Sequence, residues 1–354
     1  MQNYLGIFSR SEIARGLSGL GLSSKLARHG GPLASLDSLF LLPCIGADSA
    51  VFAGGVADVG SATGVGSTPA AALARLSGEI AELTALADGP SGISDEGDIA
   101  QFEAFLSPNA SSRTVPATQR SEKVRAPLAM TKRGCGGLPP ISEGCAAAHA
   151  RSAAVNHGLC ELLERDAVTR WWHGGCSGLL VADEGNHIVI ELEAAVPLPV
   201  VVVVAFDQMG CGFAAGAACR SLRADAVAAA RREALQAVMG RKVMEDRVEV
   251  FGETCLTDVD RAEIARASSI DKCAFLELAT NGSAPSEEKA PLDPSETMDC
   301  FAPLIVDYGR IHGLAVIKAL CPELQPSNPG IRTRRLTSIS SSRSLAAETG
   351  CAFY

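Results

Sequence analysis

Aromatic side chains are scarce in this sequence. Tryptophan, tyrosine and phenylalanine together make up 5% of 354 residues, so the core must be built from aliphatic and small side chains that pack closely. Any excess of positive charge is missing too. A formal charge of -9 at pH 7 leaves no basic footprint for nucleic acid, although a nucleotide can still bind locally through a metal ion. No stretch is long enough to cross a bilayer. The longest apolar run, VPLPVVVVVAF at 196–206, carries Pro197 and Pro199 and reads as a buried strand. The opening MQNYLGIFSRSEIARG lacks the basic-then-apolar layout and the cleavage site of a signal peptide. A cytoplasmic protein with no membrane partner is expected.

Metal-binding cysteine patterns are also absent. There are twelve cysteines but no C-x-x-C pair; Cys211 and Cys219 are the closest two, with no histidine at ligand spacing. They are expected to be reduced thiols used as small hydrophobes. No stretch, GVGSTP included, supplies the G-x-x-x-x-G-K-[ST] phosphate loop. Neither a Ser-His-Asp nor a Cys-His arrangement stands out. His149, His157 and His173 gather near one helical segment and read as packed or surface histidines.

What is present is a chain large enough, at 47% hydrophobic residues, for one elaborate domain or two lobes. The first sixty residues mix short helical pieces with LDSLFLLPCIG. Thr68 reads as an N-cap with Pro69 at the first helical position, opening a helix to about Leu86. Residues 87–98 read as a loop and 107–140 as a polar connector with turn chemistry. A long helix is expected from about Ala146 to Trp172, then strands within 177–206. A third helix is expected over 222–241, a mobile loop or disordered insert over 280–298, a strand and turn over 311–326, and a weakly structured tail from 327.

One polar pair recurs on all three helices: Glu79 and Glu82, Glu161 and Glu164, Glu233 and Gln236. Spacing of i, i+3 puts each pair on one helical face. Such pairs are common on solvated helices, and with 40 acidic residues several arise by chance. Helical geometry weighs against that for the second helix. There Val155, Leu159, Leu162 and Leu163 form a core stripe opposite His157, Glu161, Glu164 and Val168, and Trp171 and Trp172 are expected to wall the polar face off from water. On the third helix Glu233 and Gln236 share a face with Ala226, Ala229, Ala230 and Ala237, which lets a backbone or a ligand approach closely. Carboxylates gathered from several helices repel one another unless a cation neutralises them, and hard oxygen donors suit Mg²⁺ bridging to phosphate. A Mg²⁺-dependent phosphate or nucleotide site on helices is the inference.

The block SEGCAAAHARSAAVNHGLCELLERDAVTRWW at 142–172 resembles the YcaO family, with its Gly-Ala-rich lead-in, E-x-x-E-R-D-A and tryptophan pair. GVGSTPAAALARLSGEIAE (64–82) is similar to the family's G-K-G-x-T…E-x-x-E helix. GAACRSLRADAVAAARREALQ (216–236) is similar to its E-x-x-Q helix, and GLAVIKALCPELQP (313–326) to its late strand and Pro turn. Two positions depart: the family Lys of G-K-G is Val65, and a Ser before the first Glu is Arg75. The resemblance implies an α+β, YcaO-type fold with mixed or antiparallel sheets and packed helices forming a Mg-ATP site. It also implies an N-terminal segment, 1–60, packing on a YcaO-like domain, 61–354.

The resemblance further implies an ATP-dependent enzyme that cyclodehydrates Cys, Ser or Thr of a ribosomally made precursor peptide to thiazoline or oxazoline, in bacteriocin or peptide-antibiotic biosynthesis. Carried over by position, Glu79, Glu82, Glu161 and Glu233 would hold Mg²⁺ and phosphates, with Glu164 and Gln236 beside them. Arg75 would supply a replacement cation, and Arg165 would bind phosphate or brace Asp166. The closing AAETGCAFY lacks the Pro-rich tail common in the azoline-forming branch. No room is evident for a fused leader-binding domain, so a separate leader-peptide-binding partner is expected, with a flavin-dependent dehydrogenase afterwards to give azoles. A homodimer is open. Two alternatives stand beside this reading: backbone thioamidation with a sulfur donor, and a non-catalytic YcaO scaffold, which Val65 and Arg75 support.

Overall fold

The computed structural model describes residues 7–9, 33, 36–44, 50–95, 97, 100–138, 142–176, 178–206, 210, 213–252, 256–268, 270–281, 290–328, 330–339 and 344–349. All strand pairings among them are antiparallel, which agrees with the expected α+β class. The chain divides into two compact units, Met1–Leu159 with Asp299–Pro322, and Cys160–Met298 with Glu323–Tyr354.

In the first unit, β1 (Ile7–Ser9), β2 (Leu36–Pro43), β3 (Val51–Ala57) and β4 (Gly60–Gly66) form a meander in that order. Helix α1 (Pro69–Asp88) starts as expected: Thr68 Oγ1 accepts the Ala71 N–H at 3.2 Å, and Pro69 loses no hydrogen bond at the first turn. One side of α1, with Ala72, Leu73, Leu76 and Ile80, packs on Leu36, Leu39, Leu41 and Ala53. The approach is close because β4 carries Gly64. A Cβ there would sit 2.5 Å from the Ala72 carbonyl oxygen and 2.7 Å from the Leu76 nitrogen.

The other side of α1, through Ala81, Ala85 and Leu86, meets Cys145 and Val316 of a second sheet. That sheet runs in the order β6 (Glu122–Pro127), β5 (Thr114–Gln119), β12 (Leu304–Ile311), β13 (Leu314–Leu320), β7 (Cys145–Ala148). Two expectations are corrected here. The polar connector expected over 107–140 contains the β5–β6 hairpin. Its turn residues Arg120 and Ser121 both have positive φ (45° and 69°), as a two-residue primed turn requires, yet neither is the Asn or Gly that normally marks one. The helix expected from Ala146 begins at Arg151. Residues 145–148 pair instead with β13, so sheet pairing overrides the helix preference of three consecutive alanines.

Helix α2 (Arg151–Trp172) contributes residues to both units, which divide after Leu159. The second unit holds a sheet in the order β11 (Ala214–Cys219), β10 (Val200–Ala205), β9 (His187–Leu192), β8 (Gly178–Asp183). These are the strands expected within 177–206, and every residue of β10 is buried. Helix α3 (Arg223–Phe251) runs ten residues past its expected end. Gly240 does not stop it; Gly252, at φ 76°, does. Two further helices, α4 (Asp258–Ser268) and α5 (Lys272–Ala279), follow. Within the insert expected over 280–298, residues 282–289 lie outside the described residues, and Asp293 caps a short helix at Pro294–Thr297. The tail is not uniformly irregular: Arg334–Thr337 and Leu345–Thr349 are short helices.

Alanines set how α3 meets its sheet. Ala226, Ala229, Ala230 and Ala234 pack on Val189, Val201, Val203 and Ala218. Gly216 of β11 lies directly under the helix: a Cβ on it would collide with the Ala234 nitrogen and the Ala230 carbonyl oxygen, and sit 2.6 Å from the Glu233 carbonyl carbon. All three are backbone atoms and cannot rotate aside. Gly216→Ala is therefore expected to destabilise the protein by about 1–3 kcal/mol, read as a lower midpoint in urea unfolding. A midpoint equal to that of the unaltered protein would show that α3 lifts off β11 freely.

Candidate functional site

Each expected site residue can be placed within its own unit. In the first, α1 is tied to two sheet edges by its glutamates. Glu79 accepts the Thr63 N–H of β4 at 2.6 Å, and Glu82 accepts the Ala147 N–H of β7 at 2.9 Å. Both strands are edge strands, so these carboxylates engage N–H groups on sheet edges. Burial pushes the Glu79 carboxyl above the ordinary range, and the Thr63 N–H pulls it back. Arg75 donates from Nη1 to the Val65 carbonyl at 2.5 Å, while the Val65 side chain is buried in β4.

In the second unit, α2 and α3 bring four of the expected residues together. Arg165 lies 3.3 Å from Glu161 Oε1 and 3.4 Å from Glu164 Oε1. Glu233, on α3, accepts the Ala217 N–H of β11 and feels Arg165, Arg220 and Glu161. Gln236 is half-buried one turn beyond Glu233. Glu164 is 4% exposed. Burial raises its carboxyl well above the ordinary range; Arg165 and Arg220 oppose that, and Glu233 and Glu161 add to it. The Glu233 carboxyl is raised too, again chiefly by burial. These acids are held in a place where their ionised forms are disfavoured.

Two features of this cluster lie outside the i, i+3 pattern. Arg220 follows the last residue of β11, and the buried thiols of Cys160 on α2 and Cys219 on β11 are neighbours.

Asp166, beside Arg165 in sequence, faces elsewhere. It is fully buried and is held by Arg335 through Nε at 2.6 Å and Nη2 at 2.9 Å, with the Gln325 N–H at 3.0 Å. Gln325 in turn donates to the Ile331 carbonyl at 2.7 Å and accepts from the Thr333 N–H at 3.1 Å and hydroxyl at 3.0 Å. Arg335 thus provides the bidentate brace for Asp166. Nothing in local spacing pairs residues 169 positions apart.

The two tryptophans do not wall off the glutamates. Trp171 and Trp172 are 3% and 2% exposed and stack edge-on at 5.8 Å. They join Phe275 and Phe213 in one aromatic cluster, and Trp171 Nε1–H donates to the Ala279 carbonyl at 2.8 Å. Of the expected apolar stripe Leu159 and Leu163 are buried, whereas Val155 and Leu162 are only half-buried. The last turn of α2 is buried on more than one side, including Ala167, Thr169 and Val168, which was expected on the polar face.

The carboxylates and amide of α2 and α3 fit Mg²⁺ and phosphate in kind, being hard oxygen donors whose burial a dication would compensate. In place they are engaged with Arg165: among the described residues no group of three His, Cys, Asp or Glu side chains converges as a metal-ligand set. Loading such an ion therefore requires Glu161 and Glu164 to turn from Arg165. Two cavities of the second unit lie apart from these glutamates. One, of about 580 Å³, is lined by residues including Glu191, Val196, Leu198, Ser221 and Arg223; the other, of about 400 Å³, by Gly174, Cys176, Glu277 and Leu345 among others.

Residues 117–325, more than half of the sequence, match the YcaO family, described as a cyclodehydratase binding ATP and Mg²⁺. This chain belongs to the YcaO family. Solved structures share its fold. YcaO from Methanopyrus kandleri, bound with AMPPCP and Mg²⁺, is 16% identical with a TM-score of 0.61, covering 90% of this chain and 91% of that one. A chain of the E. coli microcin synthetase McbBCD complex with pro-MccB17 bound is 11% identical with a TM-score of 0.67, covering 90% and 97%. A heterocyclase in complex with substrate and cofactor is 15% identical with a TM-score of 0.61, covering 92% of this chain but 54% of that one. No curated protein sequence matches.

Two consequences can be measured. Arg335→Gln leaves the buried Asp166 carboxylate without its bidentate partner, at a cost toward the lower end of about 3–5 kcal/mol because Arg170 stands 3.9 Å away. Denaturant titration would show it, and a change within error would mean that the brace is dispensable. The second concerns pH. A carboxyl raised in the folded state takes up protons on folding, so its contribution to stability falls as pH rises from the ordinary carboxylate range through the folded value. Glu164→Gln removes that penalty. Its melting temperature relative to the unaltered protein should climb between pH 5 and pH 8, conditions chosen for the test to span the carboxylate range upward; a flat or falling difference would contradict the burial argument.

Proposed function

We propose that this YcaO protein activates backbone amides of a ribosomally made precursor peptide with ATP, closing Cys, Ser or Thr side chains onto the preceding carbonyl to give thiazolines or oxazolines. The observation that carries the reading is the group of Glu161, Glu164 and Glu233 on α2 and α3, in which burial holds the Glu164 and Glu233 carboxyls against ionisation, in a chain of an ATP- and Mg²⁺-binding family. Relatives of the same fold support it: one is bound with AMPPCP and Mg²⁺, another with the peptide pro-MccB17.

In this reading Glu161 and Glu233 of the second unit would hold Mg²⁺, with Glu164 and Gln236 beside them; Glu79 and Glu82 of the first unit are ligands that the family resemblance alone implies. Arg165 releases Glu161 and Glu164 and turns its fork to phosphate oxygens, which guanidinium geometry matches in two-point contacts. When bound, Mg-ATP supplies the phosphoryl group that turns the amide oxygen into a competent leaving group. The acids contribute by fixing that group in a site of low polarity, where each charge interaction is stronger than in water. A separate protein recognises the leader peptide, a flavin-dependent dehydrogenase acts afterwards, and the reaction belongs to the cytoplasm and to bacteriocin or peptide-antibiotic biosynthesis.

A second reading, a scaffold without catalysis, has its own observation: Arg165 engages both α2 glutamates, and among the described residues no three His, Cys, Asp or Glu side chains converge as a ligand set. Calorimetry separates the two. Mg-ATP is expected to bind the unaltered protein and to lose most of its affinity in Glu161→Ala. Incubated with the precursor, the leader-binding partner and Mg-ATP, the enzyme should lower the peptide mass by one water per ring. Exchange of oxygen for sulfur would point to thioamidation, and absence of nucleotide binding would sink the enzymatic reading.

A further inference from the structure

Among the charged groups of the second unit, Arg220 has no structural employment that accounts for its position. It follows Cys219 at the end of β11, and its guanidinium donates from Nη1 to the Cys219 carbonyl at 2.6 Å. Among the described residues it forms no ion pair within 4 Å, whereas Arg165 contacts Glu161 and Glu164, and Arg223 lies 2.7 Å from Glu191. Yet Arg220 stands in the field of both Glu164 and Glu233. A guanidinium has five N–H donors in a planar fork. One hydrogen bond to a neighbouring carbonyl leaves most of that fork unspent.

Its backbone is fixed: the Arg220 N–H donates to the Pro199 carbonyl at 3.3 Å, and the strand that delivers it lies against α3, where a Cβ on Gly216 of β11 would sit 2.6 Å from the carbonyl carbon of Glu233. Cys219, the residue before Arg220, neighbours Cys160 of α2, and both thiols are buried. A dication on the glutamates alone would neutralise the acids and leave a polyphosphate's own charge to be met by the arginines. Arg165 must break two ion pairs to do this; Arg220 breaks none.

We infer that Arg220 is a phosphate-binding residue of this site, its guanidinium fork taking oxygens of the polyphosphate of a Mg-bound nucleotide alongside Arg165. The inference rests on the nucleotide reading above for its natural ligand, but not for its test. Inorganic tripolyphosphate with excess Mg²⁺ is a sufficient probe, compared with Mg-ATP and with AMP by calorimetry on the full chain. Arg220→Gln is expected to weaken tripolyphosphate and ATP by about tenfold or more, the scale of a charge-assisted hydrogen bond. The melting temperature of the ligand-free protein should fall only slightly, since no ion pair within 4 Å is lost and only the field of Arg220 at Glu164 and Glu233 and one hydrogen bond go.

If tripolyphosphate binds equally to both proteins, Arg220 takes no phosphate and the inference is overturned, while nucleotide binding stands. If tripolyphosphate binds and is lost in Arg220→Gln but ATP binds neither protein, the nucleotide reading fails and Arg220 keeps its role. A ligand-free melting temperature that falls by several degrees, with unchanged affinity, assigns Arg220 to the fold instead. Should Arg220→Gln not fold, Arg220→Lys decides. It keeps the charge and loses the fork, so tripolyphosphate should weaken severalfold, and unchanged affinity would refute the fork.

Discussion

A carboxylate taken out of water needs N–H donors, a guanidinium or a metal cation, and this fold meets that need differently at five acids that it buries fully or in part. Asp166 receives a bidentate arginine and a backbone N–H. Glu79 and Glu82 take N–H groups from two edge strands. Glu164 and Glu233 share arginines among themselves and stay strained toward the neutral form. The sequence motif E-x-x-E-R-D therefore holds two kinds of acid within six residues. One is a fully braced anchor. The other, Glu164, is under-compensated, which is the condition that favours a bound cation.

Small residues make that arrangement possible. Gly64 and Gly216 each lie beneath a helix that carries site glutamates, close enough that a single added carbon meets backbone. The short spacing lets Ala217 of β11 donate directly to Glu233. The low aromatic content noted in the composition is the same fact seen from the core: the helices rest on alanine and glycine, and both tryptophans sit in a ring cluster at the end of α2.

Much of the layout was legible in the sequence because its signals are local. Thr68 and Pro69 marked the start of α1, the valine run marked β10, and the block at 142–172 marked the family. What could not be read is non-local or unconventional. The turn at Arg120 and Ser121 adopts positive φ without the residues that advertise it. Alanines 146–148 prefer a helix in isolation and become a strand because β13 is there to pair with. Arg335 sits in a stretch rich in serine and arginine, and its role depends on a partner 169 positions away. Arg220 shows no periodic relation to the glutamates, because it is delivered by a strand end and not by a helical face.

The placement of the tryptophans has a further consequence. The chain has two, both buried in the final turn of the helix that bears Glu161, Glu164 and Asp166. All indole emission of the protein therefore originates from one end of one helix, within an environment of phenylalanine rings. A shift in the rotation or tension of that helix changes the surroundings of both chromophores at once. Indole emission is therefore a local optical gauge on the helix that bears Glu161 and Glu164.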